Sequence, residues 1–406
     1  DTAIVGHLGT APLGGLALAA TVLSTLTWVF NFLSFGTTSR VAYLTGRGDH
    51  RGAAGVAAQG LWLAATIGLP IAALVFVAAR PIAGALGGHG PVLHAAVTYL
   101  RISAVGVPAL LVTLVGQGHL RGLSDTRTPF RVVIVANALN VVLELALVYG
   151  FHLGVAGSAW GTVVAQFVAA FWFMRITGAR VLAADVTLRP APREMRRLVV
   201  IGRHLFIRTA ALLAALTLAT SVAARVGPST LAAHQITFQI FIFLALVLDA
   251  LAVAAQATVG TDLGAGSPVE AEAIARRTIT HGLVFGAAIG VVLAIGSPWI
   301  PRVFTSDPAV IHRATIGLII LGAMQVPAGV AFALDGILMG ASDFRYLQWT
   351  TIPALFVFVP VAVAVLHWHR LGIAGIWLGL VAWMTTRTIV AGRRFLGPKW
   401  TASAHA

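Results

Sequence analysis

The chain has 406 residues, of which 58% are hydrophobic and only 10% charged, and it contains no cysteine. Soluble domains carry about 25% charged residues, so a soluble reading is excluded, and without cysteine there is neither a disulfide framework nor a thiolate metal site. A formal charge of +14 would point to nucleic acid in a soluble protein, but the arginines stand in short clusters between apolar runs without aromatic interleaving. They read as membrane topology signals, and nucleic acid is excluded as a partner.

Residues 2–39, 52–79, 145–174 and 226–248 carry no Asp, Glu, Lys or Arg, and each run exceeds the roughly 20 residues that cross a bilayer as a helix. With charges, prolines and glycines as boundaries, a stub at 1–8 is followed by predicted helices near 14–43, 50–79, 90–118, 128–150 and 155–178. The second half gives 193–225, 229–263, 268–297, 308–339, 344–366 and 371–396. Between the halves lies Gly178–Arg197, with Pro190, Pro192 and the densest charge in the chain. This organises the chain as an N-terminal lobe at 1–178, a cytoplasmic linker at 179–192 and a C-terminal lobe at 193–406.

The halves repeat at a constant offset of 218 positions, the sequence signature of a duplicated unit. Gln117-Gly118-His119-Leu120-Arg121-Gly122-Leu123-Ser124-Asp125-Thr126-Arg127 aligns with Asp335-Gly336-Ile337-Leu338-Met339-Gly340-Ala341-Ser342-Asp343-Phe344-Arg345. Gly154-Val155-Ala156-Gly157 with Gly161 aligns with Gly372-Ile373-Ala374-Gly375 with Gly379, Gly46-x-Gly48 with Gly264-x-Gly266, and Gly9 with Gly227. The second copy places the start of the first one upstream of Asp1, so the stub reads as the end of a first helix truncated in this chain. The expected fold is an all-α polytopic membrane protein of twelve transmembrane helices in two six-helix bundles. An even number of crossings per copy makes the repeat parallel, with a pseudo-two-fold axis along the membrane normal. Counting Lys and Arg at alternate helix ends gives twenty against six, which puts the linker and the C-terminus in the cytoplasm.

Ionisable residues at membrane depth are costly and mark function. The set is Asp1, Glu144, Arg208, Asp249 and Asp335, with Arg208 read as the only arginine at that depth and given Asp249 or Asp335 as its partner. Asn137, Asn140 and Glu144 fall at i, i+3 and i+7 on one face of helix 128–150, so two amides and a carboxylate point the same way. Thr162 and Gln166, one turn apart on helix 155–178, are candidates for the same pocket. The Gly157-x-x-x-Gly161 and Gly375-x-x-x-Gly379 pairs read as close helix contacts. His367-Trp368-His369 lacks a third ligand and is not a metal site. No nucleotide-binding loop or hydrolase motif is present, so the chain does not read as an enzyme.

These residues resemble the multidrug and toxic compound extrusion (MATE) transporters, within them the DinF-like branch. Asp1-Thr2-Ala3-Ile4-Val5-Gly6-His7-Leu8-Gly9 resembles the end of the family's first helix, Asn137-x-x-Asn140-x-x-x-Glu144 its fifth and Gly154-Val155-Ala156-Gly157-Ser158-Ala159-Trp160-Gly161-Thr162 its sixth. Leu334-Asp335-Gly336 with Gly340-x-x-Asp343 is similar to its tenth. The resemblance implies a cation- or proton-coupling site of Asp1, Asn140, Glu144 and Thr162, with Asn137, Gln166, Arg208, Asp249 and Asp335 as secondary candidates. It implies export of cationic or amphipathic organic compounds by alternating access through a cavity between the lobes, in exchange for protons or sodium, with no cofactor. Two carboxylates in low dielectric favour a shared proton. The expected setting is a bacterial plasma membrane, with lipid around a monomer. The alternative is a lipid-linked or polysaccharide flippase of the same wider superfamily, which calls for a cationic cavity.

Overall fold

The computed structural model describes residues 2–402, and among them every regular segment is helical. The apolar runs fold as helices because a spanning backbone has no water to bond to and satisfies its N–H and C=O groups within the segment. In chain order the helices are α1 (Thr2–Gly6), α2 (Thr10–Phe30), α3 (Phe32–Gly46), α4 (His50–Ala85), α5 (Gly90–Gly122), α6 (Arg127–Leu145) and α7 (Gly154–Ala183). They continue as α8 (Pro192–Val226), α9 (Pro228–Gly264), α10 (Pro268–Gly296), α11 (Pro308–Gly340), α12 (Phe344–His367), α13 (Gly372–Phe395) and α14 (Lys399–Ala402). A π turn at Ala146–Gly150 extends α6, and 3-10 turns precede α11 and α13. Among the described residues eleven segments are long and apolar enough to cross a membrane, with α2 and α3 acting as one span turned at Asn31.

Contacts divide the chain into two compact units that meet in sequence at Gly202–Arg203, inside α8. The duplication read from sequence is visible in the backbone of each. The left-handed residues Gly9, Gly48, Ser124 and Gly154 of the first unit recur as Gly227, Gly266, Ser342 and Gly372 of the second, all at the offset of 218. Ser124 and Ser342, with φ of 61° and 59°, are not glycines. Each ends a helix with the same pair of bonds: Ser124 and Asp125 N–H donate to the carbonyls of Arg121 and Leu120, and Ser342 and Asp343 to those of Met339 and Leu338, all at 2.9 Å. The 6→1 and 5→2 pattern satisfies the carbonyls that a helix end leaves open.

Within the first unit, α5 packs against α2, α3, α4 and α7, and α6 lies on α7. The segment after α7 is tied to α4: Gln59 donates to the Arg189 carbonyl at 3.0 Å and accepts from Ala191 N–H at 2.7 Å, and the Trp62 indole donates to the Leu188 carbonyl at 2.7 Å. Within the second unit, α11 is central, packed by α9, α10 and α13. A Cβ at Gly282, Gly286 or Gly290 of α10 would run into the backbone of Gly329, Gln325 or Gly322 of α11. Small residues let two spans approach at backbone distance, where van der Waals packing supplies the association that lipid cannot.

Candidate functional site

Two polar clusters lie inside otherwise apolar helices, one in each unit. In the first unit Glu144 of α6 is fully buried, and the Ser158 hydroxyl of α7 donates to its Oε1 in a short hydrogen bond. One turn along α7, the Thr162 hydroxyl donates to Asn140 Oδ1 over 3.5 Å. Tyr99 of α5, also buried, brings its hydroxyl to Thr162 and Ser158 beside the carboxyl of Glu144.

Gly161 is what allows this assembly. A Cβ there would stand 3.1 Å from Glu144 Cγ, 3.2 Å from its backbone N and 3.5 Å from Asn140 Oδ1. Gly157 meets the Leu147 carbonyl at 2.9 Å in the same way, so the glycine pair is the contact face of α7 on α6. Gly375 and Gly379 play the same part against Val365 and Phe358 of α12.

Asn140, Glu144 and Thr162 are therefore neighbours. Asn137 is exposed and donates to the Val133 carbonyl of its own helix at 2.9 Å, outside the cluster. The Gln166 amide oxygen lies over Gly106 of α5. Asp1 lies outside the described residues. The segment that follows it, α1, packs on α2 and α7, and Tyr149 donates to the Ile4 carbonyl at 2.8 Å. Tyr99 and Ser158 did not stand out in the sequence. Ser158 is one turn before Thr162 on the same helix, a spacing that shares a face, whereas Tyr99 carries no local signal at all.

In the second unit Asp335 of α11 is buried between two arginines. Arg387 of α13 donates to its Oδ2 at 2.8 Å, and Arg208 of α8 donates to the same oxygen in a shorter bond. Arg208 thus takes Asp335, while Asp249 is half-buried on α9. The reading of Arg208 as the only arginine at membrane depth is corrected here. Arg387 is 4% exposed, its guanidinium 5.1 Å from the centre of the Trp383 ring. It stands well inside predicted helix 371–396, but proximity to Arg393 and Arg394 made it look like a topology charge. Removing it leaves nineteen charges at one set of helix ends against six at the other, so the asymmetry of the count is kept.

The clusters are not copies of one another. At the offset of 218, Asn140, Glu144, Ser158 and Thr162 correspond to Phe358, Ala362, Ile376 and Leu380, and Asp335 and Arg387 correspond to Gln117 and Ala169. One duplicated scaffold carries two different interiors.

A multi-spanning helical chain of two repeated units, each with ionisable groups in its interior, has the build of a secondary transporter. The MatE family model matches residues 1–146 and 205–364. Protein DETOXIFICATION 44, chloroplastic, of Arabidopsis thaliana is 32% identical over 98% of this chain and 78% of its own length. DNA damage-inducible protein F of Escherichia coli strain K12 is 28% identical, covering 95% and 85%. A crystal structure of MATE in the bent conformation superposes with a TM-score of 0.92 at 21% identity, over 100% of this chain and 92% of that one. The chain belongs to the MatE family, the multidrug and toxic compound extrusion transporters, whose members are ion-coupled membrane transporters and not enzymes.

Proposed function

We propose that this chain exports cationic or amphipathic organic compounds in exchange for protons, with sodium as the alternative coupling ion. The observation that carries the reading is Glu144, a fully buried carboxylate bonded by Ser158 and grouped with Asn140, Thr162 and Tyr99. A carboxylate held by hydroxyls of neighbouring helices links a bound proton or cation to the packing of those helices. Charge and neutrality at Glu144 favour different hydrogen bonds at Ser158, and an ion that binds one arrangement better shifts the population toward it. Asp1 is the second carboxylate of this site, by resemblance to the family.

The two lobes, 1–178 and 193–406, alternate access about the linker at 179–192. The protein acts as a monomer in a bacterial plasma membrane, with lipid as its surroundings and its C-terminus in the cytoplasm. The flippase alternative gains a second buried arginine in Arg387, but Asp335 offsets one of the two charges. A single net charge is a poor match for the phosphates of a lipid-linked sugar.

The test is efflux of a fluorescent organic cation from proteoliposomes under separately imposed pH and sodium gradients. Efflux that follows the inward proton gradient supports the reading, a sodium requirement transfers the coupling to sodium, and no response to either gradient removes it.

A further inference from the structure

In the second unit two arginines meet on one carboxylate oxygen. Arg208 and Arg387 both spend an NH2 group on one atom, Asp335 Oδ2, so two guanidinium groups share one carboxylate and the cluster carries a net charge of +1. The side chains of Asp335 and Arg387 are 5% and 4% exposed. Bringing a charge out of water is costly unless it is paired, so an excess buried cation calls for a counter-charge.

The unused hydrogen-bonding capacity on the two arginines is donor capacity. Nε of Arg208 and Nε of Arg387 are both buried and without a partner among the described residues, and so is the indole N–H of Trp383, whose ring faces the Arg387 guanidinium. Among the described residues NH1 of Arg387 meets only Met384 Sδ, at 3.6 Å, a weak acceptor. The Thr388 hydroxyl donates to the Pro327 carbonyl at 2.9 Å, which fixes this turn of α13 on α11.

The repeat supplies an internal control. The first unit builds the corresponding helices with Gln117 and Ala169 in place of Asp335 and Arg387. The scaffold does not need the triad in order to pack. Arg208 keeps 12% of its side chain exposed, more than either partner.

We propose that the Arg208–Asp335–Arg387 triad is an anion-binding subsite of the second unit, which takes one monovalent group, a carboxylate or a halide, against the free guanidinium N–H donors. An anion there completes the donors and brings the net charge of the cluster to zero. Arginine suits this role because it cannot shed its proton and offers several donors at once. The subsite is independent of the coupling reading at Glu144, and its readout is binding rather than transport.

The experiment uses the full chain purified in detergent in sodium sulfate buffer. Sodium chloride and, separately, sodium benzoate replace the sulfate at constant ionic strength while thermal unfolding and tryptophan fluorescence are recorded. Loss of sulfate by itself lowers stability, so a saturable rise in unfolding temperature is specific. Chloride and benzoate binding in competition identifies a general monovalent site, chloride alone a halide site, and benzoate alone a carboxylate site.

The variants move in opposite directions. Arg387→Gln and Arg208→Gln leave a neutral pair and abolish the saturable shift. Asp335→Asn removes the competing carboxylate, raises the excess charge and tightens anion binding at least tenfold. A purely structural triad would instead respond to none of the anions, and the absence of a saturable shift in the wild-type protein overturns the proposal whether or not any variant folds. Equal anion responses of Asp335→Asn and Arg387→Gln overturn it as well.

Discussion

Replacing Glu144 by glutamine separates a coupling role from a structural one. The amide fills the volume of the carboxylate in a site where Gly161 leaves only 3.1 Å between its would-be Cβ and Glu144 Cγ, so the contact of α6 on α7 survives. The bond from Ser158 passes from a carboxyl oxygen to an amide oxygen. A hydrogen bond to a charged group is worth about 1.5–3 kcal/mol and a neutral one about 0.5–1.5 kcal/mol, so exchanging one for the other at Ser158 costs about 1–1.5 kcal/mol. An amide cannot cycle a proton, so pH-driven efflux falls to the level of empty liposomes. The assay pairs efflux of a fluorescent cation under an imposed pH gradient with a thermal-unfolding scan of the same preparation. Wild-type efflux by folded Glu144→Gln protein would refute the reasoning and move the coupling carboxylate to Asp249 or Asp335.

Thr162→Ala removes the 3.5 Å bond to Asn140 and the contact with the Tyr99 hydroxyl and slows efflux in that assay without abolishing it, whereas Asn137→Ala, losing a bond to its own helix, leaves the rate unchanged. Asp335→Ala strands two buried arginines and lowers stability by about 3–5 kcal/mol, read as a fall in unfolding temperature; Asp335→Asn is milder. Gly282→Leu drives a side chain into the Gly329 backbone across α10 and α11, with loss of folded protein in size-exclusion profiles. Asp125, in the turn between α5 and α6, is pushed up by burial but held below its ordinary value of 3.8 by the backbone and side chain of Thr128, by Arg180 and by the Arg127 N–H. Its contribution is complete above pH 3.8 and is lost as pH falls through the lower folded-state value. Hydrogen exchange in this turn therefore rises on acidification below pH 3.8 in wild type and not in Asp125→Asn.

The sequence by itself determined the spans, the duplication and the helix face that Asn140 shares with Glu144. Each is a matter of local order: length of uncharged run, constant offset and helical period are properties of neighbours along the chain. The recurrence of left-handed residues at 9 and 227, 48 and 266, 124 and 342, and 154 and 372 is the same repeat written in the backbone. Periodicity also put Asn137 on the face of Glu144, and there it misled, because a shared face says nothing of how far a neighbouring helix follows it. Gly157 and Gly161 bring α7 onto Leu147, Glu144 and Asn140, while Asn137 stays exposed.

Only the tertiary structure decided the partners. Tyr99 reaches Thr162 and Ser158 from a helix some 60 residues away in sequence, and Arg387 reaches Asp335 from 52 residues away. Charge scarcity alone narrowed the partner of Arg208 to two aspartates, since a buried arginine needs a carboxylate. It gave no reason to count Arg387 among the buried charges, because an arginine near a helix end serves a cytoplasmic rim as well as a bundle interior. Which of the two it serves depends on the direction in which α13 presents that turn to α11, and that is set by the packing of helices far apart in the chain.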